Sequence, residues 1–278
     1  MPELPEVETV RRALLPHLVG ARIEKVRVRD TRLRVPVDAR ALGRALRGRR
    51  VTDIRRRAKY LLCDIEGDAI LMLHLGMSGS LALVPAHRPL LKHDHVLFRL
   101  DGDRELRFND PRRFGVVETL SAAAQADHPR LVHLGVEPLE RSFSAAVIHA
   151  ATRRSRRPIK SFLMDATKIV GVGNIYACEA LHRAGVHPGT AVGRLSKERW
   201  QQIVEAVRAT LREAVQQGGT TLRDYRGVDG VNSDVGYFAQ RLRVYGRQGE
   251  PCRRCKTPIR RVVTTGRSTF YCSRCQRR

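Results

Sequence analysis

The sequence contains no long apolar run: no uninterrupted stretch exceeds five residues in a chain of 278. A membrane-spanning helix needs about 20 consecutive apolar residues, so the sequence argues against a membrane protein. Glu3 and Glu6 also interrupt the N-terminal stretch that a secretion signal would occupy. We therefore expect a soluble, cytoplasmic protein that is not embedded in a membrane.

Acidic residues are scarce. The 28 Asp and Glu residues face 52 Lys and Arg residues, which leaves a formal net charge of +24. Such a charge favours a polyanionic partner, either nucleic acid or an anionic membrane surface. Only seven of the cations are lysine, so part of the arginine excess can reflect codon usage rather than function. The length fits one large domain or two modest ones, and two is the better expectation.

Cysteines are few, but four of the six fall in one C-terminal pattern, Cys252-x2-Cys255 and Cys272-x2-Cys275. Two such pairs can hold one tetrahedral zinc ion. Four thiolates fill every ligand place, so we expect the zinc to be structural. A pair of disulfides is the alternative, which a cytoplasmic location disfavours. Residues 244–278 carry ten Lys or Arg residues and one acid, which predicts a zinc hairpin that faces phosphate.

The hydrophobic periodicity changes along the chain. Helical spacing follows Pro5 and should end or kink at Pro16. From about residue 20 to about residue 120, alternating apolar runs are broken by Gly, Asp and Pro, as in an antiparallel sandwich or barrel. Helical patterns follow over residues 159–170, then in a stretch that ends at Gly185, and then in one that begins at Ser196 and places Trp200 on its core face. The pattern predicts an α+β chain.

Residues 171–174, GVGN, precede helical sequence. The glycines allow a tight turn, Asn174 can cap the next helix, and free N–H groups at a helix start can bind an anion. Residues 153–160, RRSRRPIK, add five cations close by in sequence. Plain helix punctuation and a solvated charged face are the alternatives. Together the two stretches favour a surface that binds a nucleic-acid backbone.

The first residues, MPELPEVE, place Pro2 directly behind the initiator Met. Removal of Met1 would leave a secondary amine. An α-amino group has a pKa of about 7.7 to 8.0, so part of it is neutral and nucleophilic near pH 7. Attack of this amine on a sugar's anomeric carbon gives an iminium ion, which lets phosphates leave by β-elimination and then δ-elimination. Glu3 is placed to protonate the ring oxygen. The alternative is that these residues merely start a helix.

The sequence closely resembles the bacterial formamidopyrimidine-DNA glycosylase family from Pro2 to the last cysteines. The matching motifs are MPELPEVETV, RRAKYLL at 56–62, HLGMSGSL at 74–81, KHDHV at 92–96, DPRRFG at 110–115, LMDATKIVGVGNIYACEAL at 163–181, QGGTTLRDY at 217–225, GYFAQRLRVYGR at 236–247 and the cysteine pattern. The resemblance implies three domains. They are an antiparallel β-sandwich with flanking helices over residues 1–135, a helix-two-turn-helix bundle over 136–243 and a zinc-finger β-hairpin over 244–278.

The resemblance also implies an activity: a bifunctional DNA glycosylase and abasic-site lyase that excises oxidised purines, such as 8-oxoguanine and formamidopyrimidines, without a catalytic metal. In that family the N-terminal proline is the nucleophile, here Pro2, and the next glutamate is the acid, here Glu3. The lysine of the RRAKY motif, here Lys59, donates a proton during β-elimination and contacts phosphate. The arginine of the zinc hairpin, here Arg267, contacts phosphate and is linked to δ-elimination.

Further residues are implied to bind DNA. Met77, Arg112 and Phe114 would fill the space left by a flipped base while the orphan base is read. Phosphate contacts are expected from His74, His93, Arg156, Lys160 and Asn174. Residues 224–238 match the family's segment over the flipped base and are expected to act as a lid. The expected partner is double-stranded DNA with an oxidised purine, bound by a monomer in a basic cleft between the domains.

Two alternatives stay open. A relative of the endonuclease VIII type would prefer oxidised pyrimidines, but PELPEVE, Met77 and the pair of Arg112 and Phe114 argue against it. A DNA-binding protein that has lost catalysis would keep only the zinc module and the helical turn. The intact catalytic residues argue against this second alternative.

Overall fold

A computed structural model describes residues 2–220 and 238–277. These residues divide into two compact units. The first unit contains residues 2–132 and 218–220, and the second contains residues 133–217 and 238–277. None of the described helices is long and apolar enough to cross a membrane.

Helix α1 (Leu4–Leu18) begins almost at the N-terminus, as the sequence predicts. Pro5 lies in the first turn, where its missing N–H costs no hydrogen bond. Pro16 does not end the helix, which continues to Leu18 and closes with the N–H of Val19 on the carbonyl of Leu15. The apolar face of α1 is buried and comprises Leu4, Val7, Val10, Leu14 and Leu18.

Eight strands form most of the first unit. They are β1 (Ile23–Val28), β2 (Val51–Arg57), β3 (Tyr60–Ile65), β4 (Ala69–His74), β5 (Ser80–Pro85), β6 (Asp94–Leu100), β7 (Arg104–Asn109) and β8 (Val116–Ser121). One antiparallel sheet has the order β1-β6-β7-β5 and the other has the order β2-β3-β4-β8. Apolar residues of both sheets and of α1 share one core, which includes Leu61, Leu73, Phe98 and Phe108. The predicted β-sandwich is confirmed.

Helix α2 (Ala39–Leu46) lies inside the stretch that the periodicity assigns to strands. Its signals are local. Asp38 caps the helix by accepting the N–H of Ala41 at 2.9 Å, and Leu42 and Leu46 are buried one turn apart. Eight residues contain too few turns for the helical period to stand out from the surrounding alternation.

The second unit contains four helices in the part of the chain that is described, namely α3 (Ala145–Thr152), α4 (Ile159–Leu163), α5 (Asn174–Ala184) and α6 (Lys197–Gln216). Helix α5 ends at Gly185 with a φ of 68°, and α6 is capped by Ser196, both as predicted. Helix α4 is shorter than the predicted helical stretch, because the Asp165 carboxylate accepts the N–H of Thr167 and turns the chain. Trp200 is fully buried, which confirms its predicted place in the core.

A β-hairpin follows, formed by β9 (Arg260–Thr264) and β10 (Arg267–Tyr271). The strands pair antiparallel, with Arg267 opposite Thr264. Thr265 and Gly266 make the turn with φ values of 48° and 71°. Positive φ at both central positions is typical of the tight turns whose twist matches that of a hairpin.

Candidate active site and metal centre

Pro2 and Glu3 lie at the start of α1, and both are buried. Glu3 is the N-cap residue: its carboxylate accepts the N–H of Glu6, and the Glu6 carboxylate accepts the N–H of Glu3 at 2.8 Å. This reciprocal arrangement is a capping box, which satisfies two N–H groups that the helix leaves unpaired. The structure therefore holds the residue behind Pro2 in a fixed geometry at a helix start.

Glu6 has a second set of partners. Its Oε1 accepts the N–H of Thr220 at 2.8 Å and the Thr220 hydroxyl at 3.0 Å. Gly219, with a φ of 80°, passes so close that an added Cβ would lie 2.8 Å from the same oxygen. One carboxylate thus connects the start of α1 to residues 219–220. The predicted lid follows this segment, and its residues 224–237 lie outside the described residues.

Lys59 lies in the two-residue turn between β2 and β3. Ala58 beside it has a φ of 55°, and its carbonyl accepts a hydrogen bond from Arg56 at 3.0 Å. Arg56 also pairs with Glu8 of α1 at 3.2 Å. Burial would raise the pKa of Glu8, but hydrogen bonds from two arginines of α1 outweigh burial and hold that pKa below its usual value. An ionised carboxylate therefore ties α1 to the turn that carries Lys59.

His74 ends β4, with its ring 4.7 Å from that of Tyr60. Burial lowers the pKa of His74 to about 4, and the nearby charge of Lys59 adds to this effect. The imidazole is therefore neutral at pH 7. Its Nδ1 accepts the N–H of Gly76 at 3.0 Å, which places the single ring proton on Nε2. His74 offers a phosphate oxygen a neutral N–H donor.

The residues expected to replace a flipped base come from two loops. Met77 lies between β4 and β5, while Arg112 and Phe114 lie between β7 and β8. Met77 is 36 % exposed and Phe114 is 43 % exposed, although both are large and apolar. The Arg112 guanidinium carbon lies 5.2 Å from the centre of the Phe114 ring, within the range of a cation–π contact. Exposed apolar side chains in such loops are suited to insertion between base pairs.

A buried carboxylate fixes these two loops to each other. Asp110 accepts the Ser78 hydroxyl at 2.7 Å with one oxygen and the Gly115 N–H at 2.7 Å with the other. Gly76 approaches the backbone of Phe114 so closely that a Cβ would lie 2.4 Å from its carbonyl carbon. The N–H of Asp110 donates to the carbonyl of His93, which brings that predicted phosphate contact to the same loops.

In the second unit, three predicted residues meet at β10. Lys160 of α4 donates to the carbonyl of Ser268 at 3.1 Å and to the Thr269 hydroxyl at 2.7 Å. Asn174 donates to the same Ser268 carbonyl at 3.0 Å, directly beside Arg267. The prediction that Asn174 caps α5 is wrong: Gly173 is the N-cap, because the Asn174 amide is used on the hairpin.

Arg156 makes none of these hydrogen bonds and lines a cavity of about 940 Å³. Among its described lining residues there is no Asp or Glu. The cavity, called the arginine cavity below, is lined by the guanidinium-bearing residues Arg153, Arg154, Arg156, Arg194, Arg199 and Arg277. Within the described part of the chain, only Arg199 of these six has side-chain hydrogen bonds, to the carbonyl of Gly185 and the amide oxygen of Gln202. The cavity therefore concentrates cations that pair with no carboxylate of the described residues.

The four C-terminal cysteines form one cluster, with all four sulfur atoms within 4.8 Å of one another. The closest Sγ atoms, of Cys255 and Cys272, are 3.4 Å apart, well beyond the roughly 2.05 Å of a disulfide bond. All four thiols are free, so the disulfide alternative is wrong. Four converging thiols leave no place for water, which fits a structural metal ion rather than a catalytic one.

Several residues of these sites carry no strong signal in the sequence. Glu6 could have been found as the N3 partner in a capping box, although the N-cap is Glu rather than Ser or Thr. Asp110 stands in the DPRRFG motif, but its burial follows only from the contact between two loops. Arg194 and Arg277 lie far along the chain from residues 153–156 and reach the arginine cavity only through the fold.

Family models match three consecutive parts of the chain. Residues 1–117 match the formamidopyrimidine-DNA glycosylase N-terminal domain, residues 134–226 match its H2TH domain, and residues 249–278 match the zinc finger found in FPG and IleRS. The fold and its sites thus define a DNA glycosylase of DNA repair with a helix-two-turn-helix domain and a zinc-finger module.

Full-length relatives place the chain more closely. It is 50 % identical over 277 residues to a formamidopyrimidine-DNA glycosylase of Methylococcus capsulatus and 51 % identical to one of Acidithiobacillus ferrooxidans, with 100 % of each chain covered. The Lactococcus lactis Fpg in complex with abasic-site DNA superposes with a TM-score of 0.91 at 32 % identity, covering 99 % of this chain and 100 % of that one. The chain belongs to the formamidopyrimidine-DNA glycosylase family.

Proposed function

We propose that the protein is a bifunctional glycosylase and abasic-site lyase that excises 8-oxoguanine and formamidopyrimidines from double-stranded DNA. The observation that carries this proposal is the start of α1, where Pro2 precedes a buried glutamate held in a capping box. The names of the relatives supply the formamidopyrimidine substrate, and Lactococcus lactis Fpg has been crystallised with DNA that contains N7-benzyl-Fapy-dG.

The reaction begins once Met1 is removed. The Pro2 nitrogen attacks C1′ of the damaged nucleoside, a C1′–N bond forms, and the glycosidic bond breaks as the base leaves with its electron pair and takes up a proton. Glu3 protonates the ring oxygen, so the sugar opens and an iminium ion forms. Loss of a C2′ proton expels the 3′ phosphate by β-elimination. Loss of a C4′ proton then expels the 5′ phosphate by δ-elimination.

Two cations assist these eliminations. Lys59 donates a proton during β-elimination and contacts phosphate, a role supported by its place in a turn that is tied to α1 through Arg56 and Glu8. Arg267 is exposed at the first residue of β10, where its charge is available to the phosphates around the lesion. A guanidinium can bind two phosphate oxygens at once and so stabilise the leaving phosphate of δ-elimination.

The remaining candidates hold the DNA. Met77, Arg112 and Phe114 take the place of the flipped base, which is supported by their exposure on loops fixed by Asp110. The expected phosphate contacts are His74, through its neutral imidazole, His93, Arg156 and Asn174. The ammonium group of Lys160 is instead directed at β10.

The test is covalent trapping. The untagged protein is mixed with a duplex that carries 8-oxoguanine opposite cytosine, and borohydride is added to reduce the iminium adduct. The residue that carries the adduct is then identified by peptide mass. We expect an adduct at Pro2, a strongly reduced yield in Glu3→Gln, and a reduced yield in Pro2→Gly, which has a primary amine. A matched protein with an N-terminal tag should give no adduct but still bind the lesion, because its Pro2 nitrogen is part of an amide.

Two outcomes would contradict the proposal. Tight lesion binding by the untagged protein without any adduct would favour the non-catalytic DNA-binding protein. An adduct formed only with an oxidised pyrimidine would favour the endonuclease VIII type. This second candidate is worth including, because Lactococcus lactis Fpg has also been crystallised with DNA containing an oxidised pyrimidine.

We further propose that the four-cysteine cluster holds one structural zinc ion, supported by its four converging thiols and by the zinc-finger family model. Metal analysis of the purified protein should find one zinc per chain. We also propose that the protein acts as a monomer, in the cytoplasm, where a bacterial chromosome lies. A sedimentation experiment at several concentrations checks the first of these statements.

A further inference from the structure

Lys160 differs from the other predicted phosphate contacts in its burial. Lys160 lies in the first turn of α4 and is only 3 % exposed. A buried ammonium group is costly unless hydrogen bonds compensate its loss of water. Here the Nζ atom donates to the Ser268 carbonyl at 3.1 Å and to the Thr269 hydroxyl at 2.7 Å. The ammonium group is therefore directed at β10.

The segment that Lys160 holds begins one residue after Arg267. Ser268 and Thr269 are the second and third residues of β10, and the hairpin turn at Thr265 and Gly266 lies immediately before the strand. The Ser268 carbonyl accepts a second hydrogen bond, from the Asn174 amide at 3.0 Å. Two donors from two different helices thus converge on the carbonyl of Ser268, the residue that follows Arg267.

Arg267 itself is exposed, and its backbone is paired only with Thr264 across the hairpin. A two-stranded hairpin is marginally stable by itself, so its orientation depends on contacts outside the hairpin. Lys160 supplies such contacts at the strand residues closest to Arg267. The direction in which the guanidinium points therefore depends on Lys160.

We propose that Lys160 is a positioning residue for Arg267: it binds the start of β10 and fixes the exposed guanidinium, and it does not itself contact DNA. This inference rests on the proposed function, in which Arg267 contacts phosphate and promotes δ-elimination. Direct phosphate contact by Lys160, which the family resemblance implies, is the alternative.

Salt dependence separates the two roles. The affinity falls as the salt concentration rises, and each phosphate neutralised by a cation adds about 0.9 to the magnitude of this negative slope of log K against log salt concentration. The affinity for a duplex with an uncleavable abasic-site analogue would be measured for the wild type, Arg267→Ala, Lys160→Met and the double variant. A positioning role predicts that the double variant has the same slope as Arg267→Ala. Direct contact predicts that the magnitude of the slope is smaller by about 0.9 in the double variant than in Arg267→Ala.

The products of strand cleavage give a second readout. If Lys160 acts through Arg267, Lys160→Met should shift the product from δ-elimination towards β-elimination, as Arg267→Ala does, and should slow base release no more than Arg267→Ala does. Lys160→Arg, which keeps a buried cationic donor, should restore part of the δ-elimination product. A general loss of folding would instead slow base release and both eliminations together.

Zinc content and melting temperature are measured for each variant to check that it folds. If Lys160→Met fails to fold, Thr269→Val removes one of the two acceptors at nearly constant shape and should shift the product ratio in the same direction by a smaller amount. A product ratio unchanged in a folded Lys160→Met variant, while Arg267→Ala alters it, would overturn the inference and leave the role of Arg267 standing. If Arg267→Ala alters neither slope nor product ratio, the role proposed for Arg267 is wrong, and the inference is wrong with it.

Discussion

The Glu6 carboxylate accepts three hydrogen bonds, from the N–H of Glu3 and from the N–H and hydroxyl of Thr220. Replacing Glu6 by Gln turns one acceptor into a donor, which would then face N–H groups that also donate. We expect Glu6→Gln to lower the free energy of unfolding by about 1–3 kcal/mol. It should also reduce the borohydride adduct at Pro2, because the single oxygen of Gln cannot replace both carboxylate oxygens, of which one accepts the Glu3 N–H and the other binds Thr220.

Urea denaturation and single-turnover trapping measure these two effects. Glu24→Gln is the matched control, because Glu24 is an exposed residue of β1 and makes the same chemical change. Equal stability of the two variants would show that the Glu6 hydrogen bonds contribute little to folding.

His74 makes the stability of the first unit depend on pH. Its pKa is lowered to about 4 by burial and by neighbouring positive charges, whereas a free imidazole titrates at about 6.5. Between these values the unfolded chain binds a proton that the folded chain does not. Stability contributed by the neutral imidazole is therefore complete above about pH 6.5 and is lost as the pH falls towards 4.

We expect the wild type to lose up to about 2 kcal/mol more than His74→Gln when the pH falls from 7.5 to 5. Denaturant titrations at the two pH values measure the difference, and titration of groups common to both proteins cancels. Between pH 6.5 and pH 8, affinity for lesion DNA should show no contribution from His74 ionisation. Identical acid sensitivity of both proteins would contradict the lowered pKa.

The loops that carry Met77 and Phe114 meet at a contact that only glycine permits. Gly76 has a φ of 62°, and an added Cβ would lie 2.4 Å from the Phe114 carbonyl carbon. Gly102, in the turn between β6 and β7, has a φ of 70° but nothing within 4 Å of an added Cβ. Both positions impose the same backbone strain on alanine, and only the first adds a clash.

Gly102→Ala should therefore cost about 1 kcal/mol of stability, while Gly76→Ala should cost clearly more and also weaken binding to lesion DNA. Denaturant titration and binding of a duplex with an abasic-site analogue measure both quantities. Equal effects of the two substitutions would mean that the two loops can separate without loss of stability or of affinity for DNA.

Local signals in the sequence predict where helices and metal ligands lie better than they predict contacts between distant elements. The Ser196 cap, the Gly185 end of α5 and the cysteine spacing depend on residues close in the chain, and the structure confirms all three. The contact between Glu6 and Thr220 spans 214 residues, so no local pattern contains it. The apolar periodicity predicts too long an α4 for a related reason, since the Asp165 carboxylate accepts the N–H and the hydroxyl of Thr167 and turns the chain where the periodicity continues.

The same limit applies to charge. The net charge of +24 predicts a polyanionic partner but does not say which cations act together. The basic run at 153–157 marks one wall of the arginine cavity, while Arg194 and Arg277 come from elsewhere in the chain. Their side chains form no ion pair with a carboxylate of the described residues, so they keep their full charge for an anion.

Salt dependence can show whether DNA responds to the net charge of the molecule or to the arginine cavity. We expect Arg194→Gln and Arg277→Gln each to reduce the magnitude of the negative slope of log K against log salt concentration by up to about 0.9 on an undamaged duplex, because each would remove one cation available to a phosphate. Arg40→Gln removes the same charge from an exposed site on α2, outside the arginine cavity, and should leave the slope nearly unchanged. If all three variants reduce affinity equally, DNA responds to the net charge of the molecule. If only the cavity variants change the slope, the fold has gathered dispersed arginines into a phosphate-binding surface.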